Sequence, residues 1–319
     1  MPTPDPKSVK DRAVTWSIAV FAHNEAACIA ATLRSIEVAA QGMAVQVVVL
    51  ANGCQDGTAD VVRALAVASP QLRVVEIALA DKANAWNAYV HHIAATPCAN
   101  PPTLHVFVDG DVQVAPAALR ALAERLDQVP MAHAVGALPT TGRDRAGWSQ
   151  RMRDHGTLAG GLYALRGDFV ARLRQRGIRL PQGLIGEDWL VSLWAGRDLQ
   201  PVAMAVDSVE HVVFAPAAGF SFQSLSPWRA QDYRTYARRL WRYAQRGVQY
   251  EMVWQWLWLR PPESLPPDVP TLYAQAPAPS RLRWTGSGVG SLLRCLAVQQ
   301  VRRVQARGRA MPGAPKVPF

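Results

Sequence analysis

His105-Val106-Phe107-Val108-Asp109-Gly110-Asp111 reads as a buried strand that ends in a pair of carboxylates. The apolar run 106–108 asks for burial, and the charged end asks for a rim open to water. Two side chains at i and i+2 on an extended segment point the same way, so Asp109 and Asp111 share one side. Gly110 between them leaves room for a ligand or a metal to approach the backbone. Oxygen donors of this kind suit Mg2+ or Mn2+, ions that keep positions free for substrate phosphates. The alternative is a polar turn that closes the strand, with Asp111 capping the next helix.

Upstream of this strand the chain alternates between two periods. Residues 16–22 form a short apolar run, and 25–40 carry Ile29, Leu33 and Ile36 at helical spacing. A β-branched run at 45–50 stops at Asn52-Gly53, and 58–68 reads as a helix capped by Asp56 or Thr58. Residues 73–77 read as a strand and 84–94 as a helix, while Pro116 opens the helix after the carboxylate pair. This alternation predicts a mostly parallel central sheet with helices on both faces. Ligands of such sheets sit beyond the C-terminal strand ends, which places His23-Asn24-Glu25, Asn52-Gly53-Cys54 and Asp109-Gly110-Asp111 on one rim.

Beyond residue 130 the pattern loosens. Residues 140–161 are polar and glycine-rich and read as a substrate loop. Gly186-Glu187-Asp188 opens a helix, where the carboxylates either complement the helix dipole or, for Asp188, take the proton from an attacking hydroxyl. Lys82 precedes a helix whose N-terminal dipole it opposes, a cost that an anionic ligand would relieve. Residues 229–259 read as a long basic and aromatic helix in which Arg238, Arg239, Arg242 and Arg246 recur at helical spacing. The bland reading of that run is a solvated face. The chemical one makes Arg239 and Arg242 contacts for a diphosphate or a phospholipid headgroup.

Charge is divided along the 319 residues. Of a net +10, residues 225–319 hold 15 Lys and Arg against 4 Asp and Glu, so the basic excess belongs to the last third. That third also holds 6 of the 11 Trp. A basic aromatic tail suits an anionic membrane surface or phosphorylated substrates, and no nucleic-acid module accompanies it. Four cysteines without metal spacing fit a reducing compartment, and no apolar run reaches the length of a membrane span. The expectation is a cytoplasmic protein that sits peripherally at the inner face of a membrane.

The order of these motifs resembles family 2 glycosyltransferases. Phe21-Ala22-His23-Asn24-Glu25 matches the family's first strand end, and Ala51-Asn52-Gly53-Cys54-Gln55-Asp56-Gly57-Thr58 matches its acidic base-binding loop. Lys82-Ala83-Asn84-Ala85-Trp86-Asn87, the Asp109/Asp111 pair, residues 160–166 and Gly186-Glu187-Asp188 follow in the family's order. The resemblance covers about residues 14–250. It implies a GT-A fold, Rossmann-like, with a basic helical C-terminal extension. It implies further that Ala22, Asn24, Glu25, Asn52, Asp56, Lys82, Asp109, Gly110 and Asp111 hold a nucleotide-diphosphate sugar with Mn2+ or Mg2+, with His211 as a further metal ligand. On the acceptor side it implies Gly160, Gly161 and Trp189, with Asp188 as base beside Glu187 in an inverting displacement. Ala51-Asn52 stands where the family has an acidic pair, which leaves the base of the nucleotide open. Absent membrane spans favour a single addition to a hydroxyl acceptor, lipid-linked or glycan, over polymerisation.

The expected division is an unstructured segment 1–13, a catalytic domain 14–225 with nucleotide-binding (14–112) and acceptor (113–225) halves, a basic aromatic helical region 226–260, a proline-rich linker 261–280 and an amphipathic tail 281–319. The rival readings are a sugar nucleotidyltransferase, which would want a Gly-rich basic loop after the first strand, and a nucleotide-sugar binding protein without turnover.

Overall fold

A computed structural model describes residues 16–96, 100–204, 210–223, 230–277, 279 and 288–310, without the side chains of 230–234 and 308–310. The N-terminal segment 1–13 and Cys98 fall outside these residues.

Strands β1 (Trp16–Ala22), β2 (Val45–Asn52), β3 (Leu72–Ile77) and β4 (Leu104–Asp109) are mutually parallel. They continue into β5 (Val112–Val114), β6 (Ala134–Pro139), β7 (Leu162–Arg166) and β8 (Val212–Phe222) to form one sheet of order β3-β2-β1-β4-β7-β6-β8-β5. Only β7 and β5 run against the others, through antiparallel pairs with β4, β6 and β8. The sheet is therefore mixed α/β and mostly parallel, as the alternation requires.

Side chains of β1 alternate between two cores, as a period of two demands. Ile18, Val20 and Ala22 meet α1 (Ile29–Ala39), α2 (Thr58–Ala66) and α4 (Ala118–Gln128) on one face. Ala19 and Phe21 meet α3 (Lys82–Ala88), α6 (Gly167–Gln175) and α7 (Glu187–Gly196) on the other. Along α1 the buried positions are Ile29, Leu33 and Ile36, the spacing visible in the sequence.

Helices α8 (Ala230–Trp256), α9 (Val269–Gln275) and α10 (Gly288–Ala310) join the core of that second face. Val248, Met252 and Val253 of α8 bury against it together with Ala297, Val298 and Val301 of α10. The two helices run antiparallel, with Arg294 paired to Glu251 at 2.5 Å and Gln245 bonded to Gln300 at 3.2 Å. In the stretch expected to be a linker, residues 261–277 carry a 3-10 turn and α9, whose Val269, Leu272 and Tyr273 are buried. Its prolines lie where they cost little: Pro262 and Pro270 occupy first-turn positions, whose N–H groups have no intrahelical partner. Gln305 of α10 donates to the Tyr273 and Ala276 carbonyls and seats α9. Residues 140–161, expected to be a loop, contain α5 (Arg145–His155), closed by Gly156 in a left-handed conformation. No helix among the described residues is long and apolar enough to cross a membrane.

Candidate functional site

The C-terminal ends of β1, β2 and β4 open into a cavity of about 1030 Å3, completed by α7 and α8. Its floor is a chain of charges. Lys82 Nζ bonds Asp109 Oδ1 and lies 2.5 Å from Glu187 Oε1, so one ammonium joins the end of β4 to the start of α7. Glu187 is only 6% exposed. A carboxylate so buried needs a cation, and Lys82 supplies it. This resolves the expectation that Lys82 suffers at a helix N-terminus: Asp81 caps α3 by accepting from Asn84 N at 3.0 Å, while the amine is neutralised by carboxylates from elsewhere.

Protonation follows these contacts. Burial pushes the Asp109 carboxyl up to about 7, with Lys82 pulling it down and Glu187 pushing the same way as burial. Burial works against the charged form of Lys82, but Asp109 and Glu187 outweigh it and hold the ammonium well above its ordinary value. Asp188 is raised by burial and then by Glu187, against Lys82 and two backbone N–H groups. Those donors fix its carboxylate: Gly160 N–H donates to Oδ2 at 2.9 Å and Trp189 N–H to Oδ1 at 2.9 Å.

Gly160 marks the meeting point. A Cβ built there would lie 3.0 Å from Lys82 Nζ and 3.5 Å from both Asp109 Oδ2 and Asp188 Oδ2. The two carboxylate oxygens therefore lie within twice 3.5 Å of each other, although they come from strand β4 and helix α7. Any side chain at 160 would occupy the space between them. Gly161 is fixed by packing instead, since a Cβ there would sit 2.4 Å from the Phe220 ring.

Gly110 does something other than admit a metal. Its N–H donates to Phe21 O at 2.7 Å, and a Cβ would meet that oxygen at 2.9 Å and Ala22 at 3.1 Å. The missing side chain lets the Asp-Gly-Asp turn close on β1, which is also the part played by the fully buried Ala22. Asp111 is then left exposed on the cavity wall, and it makes no hydrogen bond or ion pair among the described residues.

Among the expected site residues, Glu25, Asn52, Lys82, Asp109, Gly110, Asp111, Gly160, Gly161, Glu187, Asp188, Arg239 and Arg242 all line this cavity. Asn24 and Asp56 do not. Asn24, at φ 57°, accepts from Gln55 N at 2.8 Å, and Asp56 accepts from Ala26 N at 3.0 Å and from Thr58, so the pair knits the β1 and β2 loops together. Trp189 stacks on Tyr250 at 4.0 Å outside the lining. His211 lies at the opposite end of the sheet, where Val212 pairs with Ala134 and, through Leu165, comes level with His105. Its Nδ1 bonds Met131 O at 3.0 Å and its ring stacks on His133 at 4.6 Å. Along the strand direction, Asp109 at the end of β4 is already four residues from the level of His105, about 13 Å at 3.3 Å per residue, and Asp111 lies beyond it.

Other residues that line the cavity are not among the expected binding residues. His23 faces the cavity and bonds Asn52 O through Nδ1 at 2.7 Å. Trp148 and Arg151 enter from α5, Phe220 and Phe222 from β8. Gln249 and Tyr250 act from behind: Gln249 accepts from Ile185 N at 2.8 Å, and Tyr250 donates to Gly186 O at 3.3 Å. Helix α8 thus holds the loop that presents Glu187 and Asp188.

The donor set can be tested against a divalent cation. Among the described residues no three His, Cys, Asp or Glu side chains gather to hold an ion unaided. One unpartnered carboxylate, Asp111, faces a cavity of phosphate-accepting size. That fits Mg2+ or Mn2+, which take one or two protein carboxylates and complete their shell with substrate phosphates and water.

Comparison with known proteins bears on the family and the fold. The family model "Glycosyl transferase family 2" matches residues 17–181. No curated protein matches the sequence. Among solved structures, a mannosyltransferase from Pyrobaculum calidifontis in complex with GDP-Man and Mn2+ is 21% identical, with a TM-score of 0.57 over 98% of this chain and 79% of that one. Glucosyl-3-phosphoglycerate synthase from Mycobacterium tuberculosis, in complex with Mn2+, UDP-Glc and phosphoglyceric acid, is 20% identical, with a TM-score of 0.47 over 74% and 79%. S. aureus TarS is 13% identical, with a TM-score of 0.47 over 92% and 91%.

Proposed function

Because the chain belongs to glycosyl transferase family 2 and is a nucleotide-sugar glycosyltransferase, we propose that it makes single additions to a hydroxyl acceptor with inversion, using one divalent cation. The observation that carries this reading is the convergence at Gly160 of the donor-side Asp109 and the acceptor-side Asp188. Asp188 is the base: its two oxygens are held by backbone N–H groups, and burial raises its proton affinity toward what base catalysis requires. The acceptor oxygen bonds to the anomeric carbon as its proton passes to Asp188. The bond to the diphosphate breaks, and the diphosphate leaves with the electron pair. One displacement of this kind inverts the anomeric centre.

Asp111, the unpartnered carboxylate of the cavity, would be the protein's ligand to Mn2+ or Mg2+; use of a divalent cation is supported by the Mn2+ in the Pyrobaculum calidifontis structure. When bound, the ion offsets the negative charge that develops on the leaving diphosphate. Asp109 and Glu187 hold Lys82 beside that position, and Asn52, Glu25 and His23 line the nucleotide end. Proton NMR of the product of transfer from an α-linked nucleotide sugar tests the stereochemistry. A β-anomeric coupling is expected, and an α-linked product would overturn single displacement.

The exposed face of α10 supports a peripheral membrane contact. Val289, Leu292 and Leu296 are 62%, 60% and 45% exposed, and Arg303 and Arg307 continue the same face. Leu292→Asp with Leu296→Asp is expected to release the protein from anionic liposomes in a flotation assay. Equal flotation of the variant would remove this face from the account.

A further inference from the structure

Arg239, Arg242 and Arg246 stand at i, i+3 and i+7 of α8 and so form one stripe, and all three line the catalytic cavity. None of the three makes a hydrogen bond or an ion pair among the described residues, although six carboxylates line the same cavity. Arg246 instead lies over the rings of Tyr243 and Tyr250, at 4.8 and 5.7 Å. Three guanidinium groups aimed into a cavity and left without carboxylate partners make a receptor for an anion that arrives with a substrate.

Position ties this stripe to the start of α7. A Cβ at Gly186 would lie 2.8 Å from Arg246 Cδ, so the stripe begins directly against the residue that opens α7 and precedes Glu187 and Asp188. Arg242 and Arg239 continue from there by roughly 6 and 10 Å along the helix. Asp111 and the donor-side strand ends lie on the β4 side of the cavity. An acceptor whose hydroxyl reaches Asp188 therefore lays the rest of its structure along the arginines.

Resting on the donor reading above, we propose that the acceptor is itself anionic and carries a phosphate group that the stripe Arg239, Arg242 and Arg246 binds while its hydroxyl faces Asp188. The phosphate belongs either to a small soluble hydroxy compound or to a lipid headgroup. The stripe serves both through the same contacts.

The test uses the full chain and inorganic phosphate as the probe. Phosphate is titrated calorimetrically into protein already saturated with GDP or UDP and Mg2+, and the nucleotides are titrated separately. Wild type is expected to bind phosphate with the nucleotide in place. Arg239→Gln with Arg242→Gln, both exposed positions, is expected to weaken phosphate about tenfold or more and to leave nucleotide affinity within about twofold. Arg242→Lys, which keeps the charge, is expected to recover most of the loss. Displacement of phosphate by nucleotide, or a tenfold loss of nucleotide affinity in the double variant, would assign the arginines to the donor and overturn the proposal. Absence of phosphate binding to wild type would overturn it too. A wild-type chain that takes up neither nucleotide sinks the donor reading instead, and phosphate titrated into the free protein then decides the subsite alone. Glycerol 3-phosphate and phosphatidylglycerol vesicles, offered as acceptors in turn, separate the soluble source from the lipid one.

Discussion

Asp188→Asn is expected to lower the transfer rate by about 10³-fold while donor affinity stays within about twofold. Base catalysis by a positioned side chain contributes about 10² to 10⁴, and an amide cannot take the proton from the acceptor hydroxyl. The substitution is nearly isosteric, and the amide oxygen can still accept from Gly160 N–H or Trp189 N–H, so the loop and α7 keep their places. The loss belongs in kcat and kcat/KM together, the signature of an interaction made only in the transition state. Steady-state rates with calorimetric donor affinities check both halves. A fully active Asp188→Asn enzyme would remove Asp188 as the base.

Asp111→Asn is expected to reduce kcat/KM by about 10²-fold or more, because a bound divalent cation supplies several kcal/mol of transition-state stabilisation. The same variant should leave the melting temperature nearly unchanged, since Asp111 is exposed and has no protein partner among the described residues. Asp109→Asn makes the contrast. It strips a carboxylate from Lys82, leaves that ammonium with Glu187 alone, and is expected to lower the melting temperature. Thermal melts and kinetics of the two variants therefore separate the residue that binds from the residue that positions. Equal melting losses in both would contradict this division.

Much of the nucleotide half was legible because its signals are local. The continuous apolar runs of β1, β2 and β4 and the spacing of Ile29, Leu33 and Ile36 need no tertiary context to be read. The carboxylate pair was placed at a strand end by the same logic. Helix α5 was missed because only Ser149 and Met152 of its 11 residues are buried, which leaves no apolar stripe to see. Helix α9 was hidden by prolines whose tolerated positions become visible only once the turns are known. Gln249 and Tyr250 could not be found from sequence. Their function is to hold a loop 64 positions away, a contact that only the fold creates. His211, which the resemblance implies as a metal ligand, lies away from the cavity because the parallel pairing of β8 with β6 starts that strand far from Asp111.

In the proposed mechanism, Asp109-Gly110-Asp111 presents one open carboxylate to a cation that would hold the diphosphate of a nucleotide sugar. The most direct test is calorimetric titration of nucleoside diphosphates and nucleotide sugars into the wild-type protein, with Mn2+ and then with excess chelator. Tight binding of one nucleotide class with Mn2+ is expected, with a loss of at least about tenfold under chelation. Unchanged affinity in chelator would contradict it.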